Sequence, residues 1–210
     1  AETGKKLENE RKTETYAEEP SLGNSWRLFL SLEFVMFLAV IAIRTMSVQI
    51  IETFMPTYLT DERGLTVAEA SMIYGSFSLS GILAAPLGGY FASRFGEKRW
   101  LVTTVLLSAI CLALAASAPN IAVFVVLYLC YGFFNTLGMA ANSAIMAKLT
   151  PSYRRGVGYA FFFLPGSLTR SLSPIIGAYA ATSMGMWSIF PISVFIALIA
   201  LITLKFGVKV

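Results

Sequence analysis

The sequence predicts an all-α, polytopic membrane protein of six transmembrane helices arranged as a 3+3 inverted repeat. Three observations lead there: an apolar composition, six apolar stretches of spanning length, and cationic residues crowded onto one side of the stretches. Of the 210 residues, 56% are hydrophobic and 13% are charged, against about 25% charged in an ordinary globular chain. Mean hydropathy is +0.69. A helix needs roughly 20 apolar residues to cross a ~30 Å hydrocarbon core. The length therefore holds about six crossings and leaves no room for a separate soluble catalytic domain.

Residues 1–27 are polar and mix acids with lysines, the composition of a flexible cytoplasmic linker. The apolar stretches follow at residues 28–59, 70–92, 101–118, 121–147, 157–184 and 187–204, all long enough to span. They fall into two three-helix groups, 28–118 and 119–210. The breaks carry turn chemistry: residues 60–64, 93–99 around Gly96, Pro119 with Asn120, 148–156 around Pro151, and Gly185. Thr66 and Glu69 have the spacing of a capping box, so the second helix starts there.

Charge sets the orientation. Lys5, Lys6, Arg11, Lys12, Arg27, Arg94, Lys98, Arg99, Lys148, Arg154, Arg155, Lys205 and Lys209 fall on one side of the stretches, and Arg63 alone on the other. The positive-inside rule places both termini in the cytoplasm of a cell whose plasma membrane holds the protein. The chain begins with Ala1 and has no signal peptide before the first crossing, so it reads as the trailing part of something longer or a processed form.

Several function classes are excluded. With no histidine and only Cys111 and Cys130 as thiols, neither a metal centre nor a cofactor is expected. The acids lie mostly outside the apolar stretches, so a membrane enzyme lacks its cluster of catalytic groups. The basic residues form loop clusters and no single basic face, which argues against nucleic acid.

Two segments repeat. Pro86 and Gly89 near the end of the second stretch match Pro174 and Gly177 near the end of the fifth, 88 residues later, each followed by an aromatic residue, small residues and a turn glycine. One copy ends in the cytoplasm and the other outside, as an inverted repeat requires; close packing of small residues is the alternative.

Gly89, Ser93, Arg94, Gly96, Lys98 and Arg99 resemble the loop motif G-x-x-x-D-R-x-G-R-R of the major facilitator superfamily, with Ser93 in place of Asp. Pro151 to Gly156 is similar to that family's P-x-x-x-R-G turn before its eleventh helix. A narrower similarity, carried by Arg44, Phe54, Pro56, Tyr58 and Leu59, is to the seventh helix of fosmidomycin-resistance-type drug and metabolite carriers. The resemblance implies the C-terminal half of a twelve-helix carrier that works by alternating access. It also implies that the first and fourth helices line a central cavity, the second and fifth form the domain interface, the third and sixth face lipid, and the Gly89 to Arg99 motif gates the cytoplasmic side.

Arg44 and Arg170 sit near the middle of the first and fifth stretches. A cation at that depth costs at least about 2.5–3.5 kcal/mol on insertion scales, so each faces a cavity or a partner. Guanidinium geometry suits carboxylate or phosphate, and the two are candidates for an anionic substrate, with Gln49, Asn135 and Asn142 as polar neighbours. Neutralisation by an acid in a missing half, or by helix-end carbonyls, is the alternative. Glu52, two turns beyond Arg44, lies about 12 Å outward and some 80° round the helix; it is the candidate for carrying a coupling proton, H⁺ being favoured over Na⁺. The expected activity is secondary transport of a small organic anion. Efflux antiport of a drug or metabolite, or a stand-alone half working as a homodimer, are the alternatives.

Overall fold

The structure, a computed structural model, describes residues 31–150 and 155–207. The expected linker, residues 1–27, and the turn at Pro151 to Arg154 lie outside the described residues.

Six long helices carry the described chain, with no strand among the described residues: α1 (Leu32–Asp61), α2 (Val67–Phe95), α3 (Glu97–Ala116), α4 (Ile121–Leu149), α5 (Arg155–Met184) and α6 (Ile189–Gly207). Their starts have local causes. Ser31 Oγ accepts from the Phe34 amide at the head of α1, and Asn120 Oδ1 accepts from Val123 N at 2.9 Å at the head of α4. At α2 the capping box is complete: Glu69 N donates to Thr66 Oγ1, and Thr66 N donates to the Glu69 carboxylate at 2.9 Å.

One expected break is corrected. Residues 93–99 do not form a loop: α2 runs to Phe95, α3 starts at Glu97, and Gly96 alone turns the chain. Gly96 has φ 87°, a conformation that side chains resist and glycine tolerates, so one residue does the work of seven. Gly185, at φ 85°, likewise leads into a short 3₁₀ turn before α6.

Five of the helices are both long and apolar enough to cross a membrane. α5 has the length, at 30 residues, but Arg170 and its many Ser and Thr residues reduce its hydropathy.

The helices interlock across the middle of the sequence. α1 packs against α5 and α6, α4 packs against α2 and α3, and α3 meets α6. α2 approaches α4 closely at Gly88, where a Cβ would meet the Leu137 carbonyl oxygen at 2.6 Å; α5 approaches α1 at Gly177, where a Cβ would run into the Phe54 ring.

Two apolar cores form at opposite ends of the bundle. One gathers Ile50, Ile51, Met55, Leu59, Phe124, Tyr128, Tyr131 and Phe190; the other gathers Phe34, Phe37, Leu101, Val105, Ile145 and Met146. Between them runs a polar belt at the level of Arg44, where the buried Ser47 hydroxyl donates to Ser193 O at 2.7 Å. The end of the bundle at the α1–α2 turn is stapled by Arg63. Its Nε donates to Tyr58 Oη at 2.9 Å and its Nη2 to Ala118 O at 3.2 Å, while the guanidinium lies over the rings of Tyr58 and Phe124.

Candidate substrate site

A cleft of about 300 Å³ opens beside the polar belt. α1 contributes Ile41, Arg44, Thr45, Val48, Gln49 and Glu52, whose spacing of three and four residues is one stripe of a helix. α4 contributes Asn135, Thr136, Met139 and Asn142; α5 contributes Phe162, Phe163, Gly166, Ser167 and Arg170; and α2 contributes Phe77. Arg44, Arg170, Gln49, Asn135 and Glu52 therefore share one cavity. The 80° between Arg44 and Glu52 does not separate them, because the cleft takes in that whole arc of α1.

The two arginines are held differently. Arg44 Nη2 donates to both Asn135 O and Asn135 Oδ1, each at 2.7 Å. The rest of its fork, Nε and Nη1, has no hydrogen-bond partner among the described residues. Arg170 is exposed on the cleft wall and makes no hydrogen bond or ion pair among the described residues. Glu52 lines the same cleft as Arg170 and makes no ion pair with it. Gln49 Nε2 donates to Thr53 Oγ1 at 3.3 Å, one turn along α1.

The cleft thus offers two cations and one half-buried acid, with amides and hydroxyls between them. Guanidinium forks bind carboxylate or phosphate through paired hydrogen bonds, and no covalent chemistry follows from this set. No cluster of three or more potential metal ligands occurs among the described residues.

The Gly89 to Arg99 motif is elsewhere, at the end of α2 and the start of α3. Gly89 lies inside α2 with open space around it, and Gly88 makes the helix contact. Ser93 Oγ donates to Tyr90 O, and Arg94 Nη1 donates to Tyr90 Oη at 3.0 Å. Gly96 is the turn, Lys98 is half-buried and Arg99 is exposed. Glu97 accepts from Lys148 Nζ at 2.8 Å, tying this turn to the end of α4.

Sequence reasoning singled out no aromatic residue for the site, yet Phe162 and Phe163 line the cleft. It also passed over Thr45, Val48, Phe77, Thr136, Met139 and Ser167. The α1 and α5 members follow from stepping three or four residues from Arg44 and Arg170; Phe77 carries no such signal.

The sequence matches the family profile described as Major Facilitator Superfamily over residues 36–209. Among curated proteins it is 26% identical over 130 residues to an uncharacterized MFS-type transporter of Bacillus subtilis (strain 168), covering 62% of this chain and 32% of that one. It is 26% identical over 153 residues to the hexose-6-phosphate:phosphate antiporter of Salmonella typhimurium, covering 69% and 33%. It is also 26% identical over 155 residues to a multidrug resistance protein B homolog of Mycobacterium tuberculosis, covering 74% and 28%. The chain spans about a third of the length of these relatives. With a profile match across most of its length, on an all-helical fold with five membrane-span candidates, the chain is an integral membrane protein that belongs to the Major Facilitator Superfamily of transporters.

Proposed function

We propose that the chain is one half of a secondary transporter that moves a small organic anion by alternating access, with Arg44 and Arg170 as its cationic platform. The observation that carries this reading is that two guanidiniums line one cleft and neither forms an ion pair with an acid among the described residues. A cation in a membrane interior needs compensation, and a bound anion supplies it. The relative named for hexose-6-phosphate and phosphate supports an anionic cargo.

Around this site the remaining assignments fall into place as parts of the same proposal. Glu52 carries the coupling proton, H⁺ in preference to Na⁺. The open side of the cleft is closed by a second six-helix half, in the same chain or as a second copy. Residues 28–118 and 119–210 are inverted repeats; the pairing of α1 with α5 and α6, mirrored by α4 with α2 and α3, supports this. The protein sits in the plasma membrane with both termini cytoplasmic, and the turn carrying Gly89, Ser93, Arg94, Gly96, Lys98 and Arg99 closes that side.

A second reading, efflux of a drug or metabolite, has its own support in the aromatic lining of Phe77, Phe162 and Phe163 and in the multidrug-resistance relative. Uptake into proteoliposomes separates the two. Arg44→Gln and Arg170→Gln abolish transport of phosphate and carboxylate anions while membrane insertion is unchanged. Unchanged anion transport contradicts the platform, and transport of hydrophobic cations by both variants supports efflux.

A further inference from the structure

Asn142 lines the cleft yet is only 7% exposed. Its Oδ1 is buried without a hydrogen-bond partner, and no hydrogen bond engages the carboxamide elsewhere among the described residues. Asn135, two turns earlier on the same face of α4, differs sharply: both its oxygens are taken by Arg44. Of the two asparagines, one is committed to holding a side chain and the other is unsatisfied. A buried amide is costly to leave unpaired, so its partner is to be sought in what enters the cleft.

We propose that the Asn142 carboxamide hydrogen-bonds a hydroxyl of the transported solute, so that the substrate is a hydroxylated organic anion. This rests on the anionic reading above and narrows it. A hydroxyl both donates and accepts, so it satisfies the amide whichever end is turned toward it. A bare carboxylate or phosphate oxygen accepts only, and leaves Oδ1 unmet. An ammonium satisfies Oδ1 but is repelled by Arg44 and Arg170 in the same cavity.

The test uses the protein at its full natural length in nanodiscs, with binding followed by calorimetry. The ligands are two matched pairs of equal charge: galactarate against adipate, and glycerol 3-phosphate against propyl phosphate. Wild type binds the hydroxylated member of at least one pair about tenfold more tightly, the discrimination expected from one or two hydrogen bonds. Asn142→Leu removes that preference and leaves the unhydroxylated member within about twofold. Equal affinity for both members in wild type overturns the proposal and leaves the anionic reading standing, as does an Asn142→Leu variant that weakens both members alike. Binding of none of the four overturns the anionic reading and this proposal together. Should Asn142→Leu not fold, Asn142→Ser is measured in its place, and the wild-type comparison decides by itself.

Discussion

Arg44 Nη2 donates to the main-chain and the side-chain oxygen of Asn135, each at 2.7 Å, across 91 residues of sequence. The contact joins α1 to α4 in the polar belt between the two apolar cores. It fixes Nη2 of the guanidinium and leaves Nε and Nη1 without a hydrogen-bond partner among the described residues. A long, flexible side chain becomes a positioned one, which reduces the ordering cost of binding a ligand.

Asn135 is therefore expected to matter through Arg44. Asn135→Leu loses the side-chain half of a charge-assisted interaction, about 1.5–3 kcal/mol of stability, and weakens anion binding as Arg44 loses its orientation. Asn135→Asp keeps the contact but neutralises the cation, so thermal stability is retained while anion binding is lost. Thermal unfolding and ligand titration on the two variants check this; anion binding by Asn135→Asp at wild-type strength contradicts it.

Neighbouring glycines in α2 should respond in opposite ways. A methyl group at Gly88 meets a backbone carbonyl of α4 at 2.6 Å, which cannot swing aside, whereas one at Gly89 meets nothing within 4 Å. Gly88→Ala costs about 1–3 kcal/mol through overpacking. Gly89→Ala gains up to about 0.5–1 kcal/mol from helix propensity. Melting temperatures of the two proteins in one detergent make the comparison.

Removing the Arg63 staple should loosen the end of the bundle at the α1–α2 turn. Arg63→Ala gives up hydrogen bonds to Tyr58 and Ala118 and two ring contacts, a loss of about 1–2 kcal/mol. Arg63→Lys recovers less than half, because a single ammonium does not reproduce a fork that reaches two acceptors at once. Hydrogen exchange at the α1–α2 turn reports the loosening directly.

Much of the fold was legible in the sequence. Six apolar stretches became six helices, and Thr66 with Glu69 marked the start of α2 because a capping box is a purely local device. Arg44, Gln49, Glu52, Asn135 and Arg170 were singled out as polar groups in apolar surroundings, and they meet in one cleft. What escaped depended on contacts between distant elements. Periodicity gives the face of a helix but not what stands opposite, so the capture of both Asn135 oxygens by Arg44 was invisible. Phe162 and Phe163 were not singled out for the same reason, since an aromatic side chain facing a cleft has the same local sequence as one facing lipid. The repeat aligned Gly89 with Gly177, yet Gly88 makes the contact, because packing selects whichever glycine points at the neighbour. Gly96 was read as the centre of a seven-residue loop because flanking charges look like loop composition; they extend the helices instead.

The central claim is that Arg44 and Arg170 grip one anion together, and a double-mutant binding cycle tests it most directly. Affinity for the tightest of the four anions is measured on wild type, Arg44→Gln, Arg170→Gln and the double variant. Each single change is expected to weaken binding by about 1.5–3 kcal/mol, and the double change by less than the sum, with a coupling of about 1 kcal/mol or more. Single variants that bind as tightly as wild type, or losses that add with no coupling, would contradict a shared grip on one anion.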